Sequence, residues 1–226
     1  MTTDTDALIH DLANNIEPVR ALPRPSIRAT VWLGLSLPYL LVMVFLLAPG
    51  DGPGSKFSDQ QFLIQQLAAF ATGLAAAVAA FATTAPGYSR ALVLLPLGTL
   101  TIWMGVLGQA CMRDLRAAGL HGWSLAGHWG CFPVTVLVGA FPAVVMALML
   151  RRGAPLTPRL TTLLGGLAVA GLANFGVRFV HAFDASVIVL AWHVGAVFGL
   201  SALLACGGRH FLKWRGVTFP VHAANE

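Results

Sequence analysis

The sequence predicts an all-α fold: a polytopic membrane bundle of six transmembrane helices, preceded by a short cytoplasmic amphipathic helix. Three observations carry that prediction. First, the 226 residues are 57% hydrophobic and only 10% charged, with a mean hydropathy of +0.75. Soluble domains carry about 25% charged residues, and so few charges cannot cover a water-facing surface. Second, six apolar segments, at roughly 29–49, 60–84, 91–111, 130–150, 160–180 and 187–207, approach or exceed the ~20 residues needed to cross ~30 Å of hydrocarbon. Third, the basic residues are divided unevenly between the connections.

The spans are helices because bilayer hydrocarbon offers no water to backbone groups. Period-two alternation, the mark of a membrane barrel, is absent. With the N-terminus inside, Arg20, Arg24, Arg28, Arg90, Arg151, Arg152, Arg159, Arg209, Lys213 and Arg215 face the cytoplasm. Lys56, Arg113, Arg116 and Arg178 face outward. Ten basic residues inside against four outside place both termini in the cytoplasm. The chain then divides into a cytoplasmic segment 1–28, a transmembrane domain 29–208 and a cytoplasmic tail 209–226. The opening "MTTDTDALIHD" is acidic and polar, unlike a cleavable signal. The net charge of +5 is spread through short loops instead of forming a groove or stripe, which excludes direct nucleic-acid binding.

Within the spans, "GLAAAVAA" (73–80), "GGLAVAGLA" (165–173) and "GAVFG" (195–199) offer small faces for close helix packing. Pro38, Pro96, Pro133 and Pro142 are expected to kink their spans. Gln65, Gln66, Gln109, Asn174 and His193 are expected to hydrogen-bond between helices. The span interiors contain almost no ionisable groups, against what a transporter or channel needs, and no internal repeat supports a transporter. A haem protein would need a second axial histidine at the depth of His193, and no span offers one. Ser124 beside His121 or His128 is the one nucleophile–base pairing, and it lacks a motif, so the chain is expected not to be an enzyme.

Both water-facing ends carry chemistry. In "TDALIHDLANNIEPVRALPRP" (5–25), Leu8, Ile9, Leu12, Ile16 and Val19 recur at helical spacing on one narrow face. Thr5 or Asp6 is placed to cap the helix and Pro18 to end it. A helix of about twelve residues is marginal alone, so this face must lie on a membrane surface or in a partner's groove. Surface-lying helices show Lys and Arg on the polar face. Here Asp6, His10, Asp11 and Glu17 favour a protein groove.

On the outer side, "HGWSLAGHWGC" (121–131) closes the loop 112–129. Trp123 and Trp129 fit an interfacial aromatic belt. His121, His128 and Cys131 are candidate imidazole and thiolate ligands for copper or zinc, or Cys131 is a redox thiol. Cys111 and Met112 stand at the other end of the loop, and His181 and Asp184 in the next outer one.

The N-terminal "LIHDLANNIEPVRALPRP", the six spans, "HWGC" (128–131), "LMLRRGAPLTPRLTTLLGGLAVAGLA" (148–173) and "VHAFDAS" (180–186) together resemble the NrsF-type anti-sigma factors of the bacterial inner membrane. The resemblance covers nearly the whole chain; "WGC" and "RRGAPLTPRL" are its most specific pieces. It implies a protein that holds an extracytoplasmic-function sigma factor at the cytoplasmic face of the lipid bilayer. A signal from outside, such as heavy metal or oxidising stress, then releases that factor. It implies sensing by outer-side cysteines, of which Cys131 matches the first. Ala182 stands where the second is expected, after His181. That departure favours ligation of copper, zinc or cadmium by Cys131 with His121, His128 or His181 over a disulfide between loops. No constitutive cofactor is implied. The partner-binding residues are then Leu8, Ile9, Leu12, Ile16, Pro18 and Val19. No residue in the sequence singles out a moving helix.

Overall fold

A computed structural model describes residues 2–15, 22–47, 57–118, 131–153 and 157–180, together with Gly195 and Gly199. Six helices follow one another among the described residues: α1 (Thr2–Asn14), α2 (Pro25–Leu47), α3 (Gln60–Ala82), α4 (Arg90–Ala118), α5 (Cys131–Arg151) and α6 (Pro158–Val180). Five of them, α2 to α6, are long and apolar enough to cross a membrane. Their outward faces carry Leu41, Phe45, Leu46, Leu67, Leu94 and Ile102, all well exposed. An apolar belt that large has no stable place in water, which points to a membrane. The expected sixth span, 187–207, lies outside the described residues apart from Gly195 and Gly199.

Local chemistry sets the helix ends. Pro25 and Pro158 open α2 and α6, where a missing N–H costs nothing. Asp59 caps α3, its carboxylate accepting from the Gln61 N–H at 2.9 Å. Gly87, at φ +76°, supplies the left-handed residue of the turn between α3 and α4. Pro38, Pro96 and Pro142 lie inside α2, α4 and α5, and Pro133 in the first turn of α5.

Three boundaries differ from expectation. The first helix starts at Thr2, so Thr5 and Asp6 lie within it and cap nothing. α2 begins at Pro25, ahead of the expected Ala29, because proline at the first helical position is preorganised for the turn. α4 continues through Ala118, so Met112–Ala118 is helix and not loop. "MRDLRAA" is rich in strong helix formers, and Arg116 in its last turn complements the helix dipole.

Consecutive helices run up and down, so α2, α4 and α6 start where α3 and α5 finish. We call that end proximal and the other distal. The spine is the α3–α6 pair. α4 packs on the outer side of α3, α5 packs on α6, and α2 lies against α3, α5 and α6. One apolar cluster joins Ala76, Ala80 and Phe81 of α3, Leu167, Leu172 and Val177 of α6, Trp32 and Leu40 of α2, and Val138 and Met146 of α5. A smaller one joins Ala68 and Ala69 of α3 to Trp103 and Leu107 of α4.

The spine closes backbone on backbone. A Cβ built at Gly171 would stand 2.8 Å from the Gly73 nitrogen and 2.9 Å from the Ala69 carbonyl oxygen. One built at Gly73 would stand 3.1 Å from the Leu172 nitrogen. The small-residue segments 73–80 and 165–173 therefore do what their composition predicts. Contacts of α5 with the spine are softer: a Cβ at Gly165 would meet the Leu150 and Met146 side chains.

Candidate partner-binding and sensing sites

At the N-terminal site, α1 presents Leu8, Ile9 and Leu12 at 58%, 58% and 57% exposure. Leu8 and Leu12 are one turn apart and Ile9 flanks them, giving a narrow apolar stripe. Asp6 and Asp11 are also exposed, and no Lys or Arg occurs in Thr2–Asn14. The helix closes at Asn15, whose N–H and side-chain amide donate to the Asp11 carbonyl and carboxylate, each at 3.1 Å. Ile16, Pro18 and Val19 lie outside the described residues.

The outer candidates are placed only in part. Cys131 is the first residue of α5, at the distal end. His121, His128 and His181 lie outside the described residues, as do Asp184, His193 and Cys206. Cys111, in α4, is a partly buried free thiol, and Met112 beside it is half exposed. Among the described residues no group of three or more His, Cys, Asp or Glu could hold a metal.

Between the two ends run polar contacts that the sequence reading largely missed. Arg28, expected in the segment before the first span, is buried inside α2. Its guanidinium donates to Thr84 Oγ1 and to the Met149 carbonyl, both at 2.6 Å. It also lies 4.6 Å from the centre of the Phe81 ring, a favourable cation–π geometry. Met149 is in the last turn of α5, where carbonyls lack helical partners, and the Gly153 N–H bonds Leu150 instead. Thr84 follows the end of α3 and donates its own proton to the Phe81 carbonyl at 2.7 Å. Two helix C-termini thus supply the negative potential that a buried cation requires. Arg28→Met is expected to cost about 1–3 kcal/mol, because it leaves the Met149 carbonyl without a donor. Thermal unfolding in detergent measures this.

Two more donors of α2 reach α5. Trp32 Nε1 donates to the Pro142 carbonyl at 3.0 Å, and the Tyr39 hydroxyl to the Leu137 carbonyl at 2.7 Å. The Tyr39 ring stacks on Phe141, with centroids 4.9 Å apart. Positions 28, 32 and 39 share one face of a helix. A run of Arg, Trp and Tyr at that spacing in an otherwise apolar segment is the signal that marks them.

At the distal end Arg178 of α6 is buried, donates to Gln65 of α3 and lies over Phe62. Gln66 Nε2 donates to the Phe175 carbonyl at 2.8 Å, and Arg113 of α4 donates to Gln61. Gln65 and Gln66 bridge helices as expected. Gln109 is exposed, and Asn174 is buried. At the proximal end Thr83 and Thr161 share a hydrogen bond of 2.7 Å that ties α3 to α6.

Comparison with curated proteins and with solved structures returns no match. Comparison with protein families matches residues 12–214 to the family described as negative regulator of sigma F, NrsF. The match takes in Leu12, all five long helices and Cys131, and begins after Leu8 and Ile9. With nearly the whole chain matched, the protein belongs to the NrsF family of negative regulators of sigma F, and its partner is a sigma factor.

Proposed function

We propose that this chain sequesters an extracytoplasmic-function sigma factor at the cytoplasmic face of the bacterial inner membrane and releases it when outer-face groups meet metal or oxidant. The observation that carries this reading is the exposed apolar stripe of α1: Leu8, Ile9 and Leu12, each more than half exposed on an acidic helix. A stripe of that kind is stabilised by a groove on another protein, and the family supplies a sigma factor as that protein. Ile16, Pro18 and Val19 extend the binding segment, within residues 1–28. Residues 29–208 form the membrane domain, with 187–207 as its sixth span and both termini in the cytoplasm, as the distribution of basic residues supports. Cys131, with His128, His121 and His181, is the candidate sensor of copper, zinc, cadmium or oxidant. No constitutive cofactor and no catalysis enter the mechanism.

Two variants of the full chain test the two halves of this reading. Removal of residues 2–15 is expected to abolish co-purification of a co-expressed sigma factor. If the factor still co-purifies in full, α1 is not its binding element. In the parent, copper, zinc, cadmium or hydrogen peroxide is expected to dissociate the complex, and Cys131→Ser is expected to blunt that release at least tenfold. Equal release from both removes Cys131 from sensing.

A further inference from the structure

Three side chains of α2 bond main-chain carbonyls of one neighbour: Tyr39 to Leu137, Trp32 to Pro142 and Arg28 to Met149. The acceptors span most of α5. Main-chain carbonyls are fixed points on a helix, so these bonds register the axial position of α5 and not the rotamer of any side chain. At the proximal end Arg28 also holds Thr84, just beyond α3, and lies over Phe81; along the rest of their length the interfaces of α5 and α2 with the spine are of another kind. At Gly165 and Gly176 the closest neighbours are the flexible ends of Leu150, Leu40 and Val138. At Gly73 and Gly171 they are backbone. Side-chain contacts of the first kind permit small shear between packed helices; backbone contacts of the second kind do not.

The ends of the two linked helices matter. α5 begins at Cys131, at the distal end, and finishes in the turn that Arg28 holds. Arg28 lies in the first turns of α2, and the chain ahead of α2 leads to α1.

We propose that α2 and α5 move as one hydrogen-bonded unit against the α3–α6 spine, pivoting where Arg28 meets Thr84, so that Arg28, Trp32 and Tyr39 couple the start of α5 to the grip of α1 on the sigma factor. This rests on the reading of α1 as the binding element. The three are positioning residues, each acting through its bond to α5.

The test measures the affinity of the full chain, in lipid nanodiscs, for a fluorescently labelled partner sigma factor. Trp32→Phe with Tyr39→Phe removes two of the bonds while keeping aromatic rings in place. Tyr39→Phe alone removes a single hydroxyl and guards against a folding defect in the double variant. Trp103→Phe, in the α3–α4 cluster, is the matched core control. The double variant is expected to change Kd tenfold or more and the single variant about threefold, while Trp103→Phe stays within twofold. A double variant with the parent's Kd, or a Trp103→Phe shift as large as its own, overturns the coupling. Three aspartates in place of Leu8, Ile9 and Leu12 separate the two ideas. If they release the factor while the α2 variants bind like the parent, only the coupling fails. If they leave binding intact, the α1 reading fails.

Discussion

Gly171→Val is expected to destabilise the bundle more than any other single change considered, by about 3 kcal/mol, at the upper end of overpacking costs. The reason is what the new carbon would meet. At 2.8 Å from the Gly73 nitrogen and 2.9 Å from its Cα, it collides with a backbone that cannot rotate away. α3 and α6 must separate, and separation loosens everything that both helices position. Thr83 would draw away from Thr161, and Gln66 from the Phe175 carbonyl, contacts now at 2.7 and 2.8 Å. Thermal unfolding in detergent should show a melting point lower by several degrees. Gly105→Ala and Gly34→Ala provide the contrast, since nothing lies within 4 Å of a Cβ at either position. Each is expected to stay within about 0.5 kcal/mol of the parent.

Replacing Leu8, Ile9 and Leu12 together with aspartate is expected to weaken sigma-factor binding more than 100-fold. Full burial of such a side chain contributes about 1.5–3 kcal/mol. Even half of that at each position sums to about 3 kcal/mol, and 1.4 kcal/mol is tenfold in Kd. The new carboxylates add the cost of desolvation in an apolar groove. All three positions are already exposed, so the bundle should melt as the parent does. That separates lost binding from lost folding. Titration of labelled sigma factor against the purified chain reads the change directly. Raising the salt concentration should weaken the parent complex as well, because Asp6 and Asp11 flank the stripe and charge pairs at an interface are screened.

The long helices were legible in the sequence because length and hydropathy are properties of each segment alone. Glycines 73 and 171 announced a close helix crossing for the same reason. What composition could not show was which segment meets which. Arg28 reads as one more basic residue ahead of a span; only the fold brings it to the end of α5 and into contact with Thr84, just beyond α3. Trp32 and Tyr39 read as ordinary apolar positions because their acceptors are main-chain carbonyls, which leave no side-chain signature. The run beyond Cys111 was misjudged as loop because its charges outweighed its helix propensity. For the stripe of α1 the spacing of Leu8, Ile9 and Leu12 was sufficient, although the helix starts four or five residues earlier than a cap at Thr5 or Asp6 implies.

The distance along the chain from α1 to α2 sets a leash. α1 ends at Asn14 and α2 begins at Pro25, so ten residues join them, and each extends at most about 3.5 Å. The end of α1 can therefore travel no farther than about 35 Å from the first turn of α2. On the function proposed above, a partner on so short a tether would stay beside the proximal end of the bundle.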